Sequence, residues 1–306
     1  MVSAPSNPTR RVVVLLNFLT QHPSRTFSLS ELGRELGISK STLHPLVETL
    51  ADAGYLMRDA ETRQIRLGPV LAGVGTAALG HRGHLINTLR PAMESVAHEL
   101  DAHCIVSADF GDWIVPLAAA GEPSRVTTLF RVGGRANPFV PPMGILFLPG
   151  RPMNEIHEWL DRSQPPLEPP EVEVNLSAID VLRVNGFTAT ARLDVKARLE
   201  RAFDGDVSPE KSREFKDMMR EIRGSRYLIL DFSNPEPQEV DWIGIPVLDQ
   251  HGRVELALVV LNLPHALTGP EILDVVALMR TSVAGLAGVN LLPGKSGALS
   301  QRVPLR

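Results

Sequence analysis

The stretch from Ser28 to Ala53 constrains the chain more than any other. Ser28-Leu29-Ser30-Glu31 has the Ser-x-x-Glu form of a capping box, in which a hydroxyl and a carboxylate satisfy the first orphan N–H groups of a helix. Leu32 and Leu36 come next, four apart, so a short helix over Leu29–Leu36 is predicted. Gly37-Ile38-Ser39 then makes a tight turn, with glycine tolerating the left-handed backbone of a helix end and Ser39 able to cap a third helix. That helix is expected over Lys40–Ala53, burying Leu43, Leu46, Val47 and Leu50.

The flanks complete the pattern. Val13, Leu16 and Leu19, spaced by three, predict a first helix over residues 10–21, stopped at His22-Pro23. After Gly54, Tyr55-Leu56-Met57 and Gln64-Ile65-Arg66-Leu67 read as two short strands joined by the polar Asp59–Arg63. Helix, helix, turn, helix and hairpin in that order describe a winged helix-turn-helix, placed here at residues 1–68.

A chain of 306 residues has room for a second domain. Residues 69–84, rich in small side chains, read as a linker helix. The Gly73-x-Gly75-x-x-Ala78 run in it lacks the preceding strand that a dinucleotide site requires. Residues 85–293 alternate helices with strands. A helix is expected over Leu89–Leu100, and a strand pair over Ala102–Phe110 and Trp113–Ala119. A second pair is expected over Asp241–Leu248 and Val254–Leu261 around Asp249-Gln250-His251-Gly252, then a last helix over Pro270–Leu291. The Pro-rich Gln164–Pro170 reads as a surface loop and residues 294–306 as a tail. The fold class is therefore α+β in two domains, the second built on an antiparallel sheet.

Composition narrows the setting. Cys104 is the sole cysteine, which rules out an intramolecular disulfide and a cysteine-based zinc site. No secretory signal is recognisable and no apolar run approaches the ~18 residues of a membrane span, so a cytoplasmic protein is expected. The net charge of −4 divides unevenly: residues 1–80 carry +2 and the remainder −6. The sign favours phosphate contact at the N-terminal end only.

A recognition helix inserts its N-terminal side chains into the major groove while neighbouring groups grip phosphates. Ser39, Lys40, Ser41, Thr42 and His44 are the candidates on the third helix, with Arg63 and Arg66 on the wing and Arg10 and Arg11 beside the first helix. The plain alternative is that Ser39–Thr42 only cap a helix and the cations are solvated. Enzymatic motifs are poor. Gly294-Lys295-Ser296 lacks the first glycine of a phosphate-binding loop, His81 and His84 lack further metal ligands, and no Gly-x-Ser-x-Gly elbow occurs. No enzyme activity, metal or cofactor is expected.

Ser30-Glu31-Leu32-Gly33, Gly37-Ile38-Ser39-Lys40-Ser41-Thr42-Leu43-His44, Gly54-Tyr55-Leu56 and Arg66-Leu67-Gly68 resemble the isocitrate lyase regulator (IclR) family of bacterial transcription factors. The likeness resumes at Arg131-Val132-Gly133, Pro138-Phe139-Val140, Met143-Gly144 and Ile245-Pro246-Val247. It implies a GAF-like effector-binding domain at residues 85–293, with Phe139, Val140, Pro141, Met143, Gly144, Ile243, Val260 and Asn262 around the ligand. It also implies a homodimer or homotetramer on a pseudo-palindromic operator in double-stranded DNA, acting as a repressor. The apolar cast of those lining residues favours an apolar or aromatic effector. A sensor or scaffold with degenerate DNA binding, or an enzyme with an accessory winged helix, are the alternatives. Two departures stand out: Pro45 replaces a common Arg, so that helix three is expected to kink or start late with a DNA contact missing, and residues 190–225 look like a charged, helical insertion.

Overall fold

The computed structural model describes residues 7–122, 130–139, 143–163, 166–192 and 228–294. The chain divides into two compact units at Gly83/His84.

In the first unit α1 (Asn7–Gln21), α2 (Leu29–Glu35) and α3 (Lys40–Asp52) are followed by the antiparallel hairpin β1 (Leu56–Arg58) and β2 (Ile65–Leu67), and then by α4 (Val70–Leu79). The Ser28 capping box forms as expected: Ser28 Oγ accepts from the Glu31 N–H, and a Glu31 carboxylate oxygen accepts from the Ser28 N–H at 2.7 Å. One apolar core joins the helices to the hairpin through Leu15, Leu19, Phe27, Leu32, Leu43, Val47, Leu56 and Ile65. Phe27 is stitched to Ile65 by reciprocal backbone bonds of 3.0 and 2.8 Å. Two expectations need correction. Leu15, rather than Val13, turns into the core, leaving Val13 exposed, because helix orientation is set by packing against α2 and β2 and not by spacing alone. Leu46 and Leu50 are only partly buried.

α4 ends at Gly80, whose φ of 55° and ψ of −134° suit glycine alone, so the expected single linker helix over 69–84 is interrupted. α5 (Arg82–Glu99) begins seven residues before its predicted start and runs through Pro91. Seven buried side chains, Leu85 to Ala97, hold it helical despite the missing N–H.

The second unit is built on a seven-stranded antiparallel sheet in the order β4-β3-β8-β7-β5-β6, with β9 beside the far half of β7. Its strands are β3 (His103–Asp109), β4 (Ile114–Ala120), β5 (Thr188–Ala191), β6 (Leu228–Ile229), β7 (Val240–Leu248), β8 (Val254–Leu261) and β9 (Asn290–Leu291). A 3₁₀ turn at Met143–Phe147, α6 (Met153–Asp161) and α7 (Pro169–Asn185) share one core with Ile105, Trp242, Ala257, Val259 and Leu261, and so cover one sheet face. α8 (Gly269–Val283) packs against β7. α8 stops eight residues short of its expected end, because Gly285 and Gly288 take left-handed backbone and Asn290–Leu291 pair with β7 instead. Pro169 and Pro170 open α7 rather than lying in a loop, as proline can in a first helical turn. The expected insertion lies, from residue 193 to 225, outside the described residues, as do residues 295–306 of the expected tail.

Candidate functional site

Two places bring predicted residues together. The first is the start of α3. Ser39 caps it, its Oγ accepting from the Thr42 N–H at 3.4 Å and lying 3.1 Å from Ser41 Oγ and 2.9 Å from Thr42 Oγ1. Leu43 and Val47 hold the opposite side in the core, so Lys40, Ser41, His44 and Pro45 are exposed. The capping alternative is thus literally true of Ser39, yet the same geometry presents Lys40, Ser41 and His44 outward. His44 lies 3.8 Å from Glu48, and Glu48 pairs with Arg58, a residue the sequence did not single out. That pair ties α3 to β1 and neutralises a cation that would otherwise face the same side.

Helix three does not start late: it spans Lys40–Asp52 without interruption, with Pro45 inside. The Ser41 carbonyl has lost its usual helical donor there. On the wing, Asp59 Oδ1 accepts from the N–H groups of Glu61 and Thr62 and from the Thr62 hydroxyl, holding the turn. These bonds keep the Asp59 carboxyl below the usual range, the Thr62 N–H contributing most. Arg63 takes left-handed backbone at φ 58°, and Arg66 stands exposed on β2. Arg10 and Arg11 are exposed on the first turns of α1.

The second place is the sheet face beneath the 3₁₀ turn. Strand pairing sets His103, Leu261, Trp242 and Thr190 in one transverse row, His103↔Leu261, Leu261↔Trp242 and Trp242↔Thr190. Side chains alternate along a strand, so Ile105, Ser107, Val259 and Gly244 share that face. Gly244 permits the turn to settle on it, since a Cβ would lie 2.7 Å from Leu146. Four buried polar atoms here have no hydrogen-bond partner among the described residues: His103 Nδ1, Ser107 Oγ, Trp242 Nε1 and Thr190 Oγ1. Buried polar groups are nearly always satisfied, and four unsatisfied on one face call for an explanation. Burial lowers the pKa of His103, so the imidazole is neutral at pH 7.

Of the residues expected around the ligand, Met143 and Gly144 lie in the turn over this face, and Phe139 stacks on Trp159 with centroids 4.4 Å apart. Val140 and Pro141 lie outside the described residues. Ile243 and Val260 pair with each other on the opposite face, while Trp242, Val259 and Leu261 lie on the face under the turn. Asn262 comes directly after β8 in left-handed backbone, φ 59°. Trp113 is exposed, whereas Trp242 is fully buried. His103, Ser107 and Thr190 were missed because nothing in a sequence marks a polar residue as buried and unpaired.

The 3₁₀ turn is anchored from two sides. Arg151 donates to the Asp109 carboxylate at 2.8 Å and to the Phe147 carbonyl at 3.2 Å. Arg183 of α7 donates to the carbonyls of Pro149 and Arg151, each at 3.1 Å. Among the described residues no group of three His, Cys, Asp or Glu side chains is placed to hold a metal ion, and no helix is long and apolar enough to cross a membrane.

Residues 8–60 match the model of the IclR helix-turn-helix domain. The HTH-type transcriptional regulator Rv1719 of Mycobacterium tuberculosis is 27% identical over 129 residues, covering 40% of this chain and 46% of that protein. The chain thus matches about half the length of that curated relative. Among solved structures, an IclR transcriptional regulator from Alicyclobacillus acidocaldarius superposes with a TM-score of 0.55 at 17% identity, covering 93% of this chain and 98% of its own. An IclR homologue from Microbacterium hydrocarbonoxydans, solved with 4-hydroxybenzoate, gives 0.55 at 19% identity over 92% and 97% of the two chains. At such identities the structural likeness speaks for the fold. Residues 8–60 are thus similar to the IclR helix-turn-helix domain, and over nine-tenths of its length the chain has the fold seen in IclR regulators.

Proposed function

We propose that the protein is a transcriptional repressor that binds a pseudo-palindromic operator through α3 and the wing, and that a small aromatic molecule on the sheet face of the second unit changes that binding. The matched helix-turn-helix, with Lys40, Ser41, Thr42 and His44 at the start of a well-capped α3, carries the first part. Arg10, Arg11, Arg63 and Arg66 are assigned to phosphates, which position the protein without reading sequence.

The four unpartnered polar atoms support the second part. An aromatic ring bearing a hydroxyl or carboxylate would meet apolar Ile105, Val259, Leu261 and Met143 and give partners to Trp242 Nε1, Thr190 Oγ1 and His103 Nδ1. Phe139 and Gly144 belong to this site, with Asn262 at its margin; Ile243 and Val260 do not. The 4-hydroxybenzoate held by the Microbacterium homologue is of this chemical class.

A homodimer or higher homo-oligomer is part of the proposal. α4 is apolar along its length and has no buried residue, with Val70 40% and Val74 46% exposed. A second copy of α4 is the complement such a helix needs, and a palindromic site needs a symmetric pair.

Selection of bound sequences from a random duplex pool, repeated with 4-hydroxybenzoate, tests the function. Enrichment of a palindrome, weakened by the ligand, is expected. Enrichment of nothing would leave a sensor without DNA binding.

A further inference from the structure

The turn after α1, the hairpin and the chain leaving it line an open, solvent-facing cavity of about 400 Å³ within the first unit. Its wall is apolar at Leu19, Met57 and Leu67 and basic at His22, Arg25 and Arg66. Two of the basic groups, Arg25 and His22, are held in place. Arg25 lies over the Phe27 ring, 4.7 Å from its centroid, and Phe27 is fixed by its two backbone bonds to Ile65. His22 Nδ1 is 2.8 Å from the Phe18 carbonyl oxygen, and its ring stacks 4.5 Å from Phe18. Among the described residues neither Arg25 nor Arg66 is in an ion pair. The acids whose fields reach them, Glu31 and Asp59, are committed to the backbone N–H groups of Ser28 and of Glu61 and Thr62. The Arg25 guanidinium held over Phe27 and the exposed Arg66, neither ion-paired among the described residues, stand beside an apolar wall and suit a molecule that is anionic at one end and apolar at the other.

We propose that this cavity binds a small amphipathic carboxylate, with its apolar part against Leu19, Met57 and Leu67 and its carboxylate on Arg25 and Arg66. The site lies inside the DNA-binding unit and is separate from the sheet face of the second. Because Arg66 is also assigned to a DNA phosphate, an occupied cavity competes with duplex DNA. That consequence rests on the proposed function, whereas binding of the carboxylate does not.

The test is a titration of the full-length chain, labelled with ¹³C at the methionine methyls, with benzoate as the probe. Met57 reports the cavity and Met143 the sheet face, so the two sites are read apart. A saturable shift of the Met57 methyl is expected, with Kd raised roughly 10-fold or more in the Arg25→Gln/Arg66→Gln double variant. No movement of Met57 with benzoate, or the same Kd in the double variant, would overturn the proposal. Inorganic phosphate binding at Met57 as tightly as benzoate would overturn the role of the apolar wall. Duplex DNA moving Met57 where benzoate does not would make the cavity a seat for the DNA backbone and overturn it too. Where both bind, benzoate weakening the duplex supports competition at Arg66, and an unchanged duplex affinity refutes it.

Discussion

Trp242 of β7 and Thr190 of β5 stand directly opposite one another, and among the described residues neither the indole Nε1 nor the hydroxyl Oγ1 has a hydrogen-bond partner. An unpaired buried hydroxyl costs roughly 1–3 kcal/mol, and replacing it by a methyl of the same shape removes that cost. Thr190→Val is therefore expected to leave the free protein as stable as before or about 1 kcal/mol more stable, while reducing the rise in Tm caused by 4-hydroxybenzoate. Urea denaturation and thermal shift measure the two effects. A loss of stability with an intact ligand shift would show the hydroxyl to be structural.

The Arg151–Asp109 pair, 30% and 13% exposed, fastens the 3₁₀ turn to the end of β3. Arg151→Met removes that pair and the bond to the Phe147 carbonyl, with an expected loss of about 1–3 kcal/mol. Hydrogen exchange should quicken at Met143–Phe147 more than in β7 or β8. Uniform protection would mean that the apolar packing of the turn suffices without the ion pair.

Glu31 and Glu271 close capping boxes, and the backbone N–H groups of Ser28 and Thr268 hold their carboxyls below the usual glutamate range. A carboxyl depressed in the folded state contributes stability above its unfolded pKa, about 4.3, and loses it as pH falls through the lower folded value. Glu271→Gln should flatten the acid limb of the stability curve below about pH 4. An unchanged limb in denaturation midpoints from pH 3 to 7 would place the acid sensitivity elsewhere.

Much of the first unit was legible because its signals are local. Ser28 and Glu31, Gly37 and Ser39 act over three or four residues, and those elements formed where the spacing put them. Val13 and Leu15 show the limit, since which side of α1 turns inward depends on α2 and β2. The sheet face was legible only as a set of strands. Which residues share a face with Met143 and Gly144 could not be read, because β7 and β8 are buried on both faces and show no alternation to count. α8 was overrun because its apolar pattern continues past Val283, although the left-handed glycines Gly285 and Gly288 just beyond it are themselves a local stop signal.

Pro45 sits exposed in the middle of an unbroken α3, and Thr49 Oγ1 donates to its carbonyl at 2.8 Å. Restoring the helical N–H with Pro45→Ala should stabilise the first unit by about 1–3 kcal/mol. Pro45→Arg adds a cation to the face that carries Lys40 and His44, and should steepen the salt dependence of duplex binding by about one unit of slope. A stabilised helix with an unchanged slope would place position 45 away from the DNA.

Phosphate contacts by α3 and the wing would make duplex binding depend steeply on salt. Affinity of the full-length chain for the selected duplex should fall linearly with salt on a log–log plot. Lys40→Gln and Arg66→Gln should each reduce the slope by about one. A flat salt response, or slopes unaltered by both substitutions, would contradict those contacts.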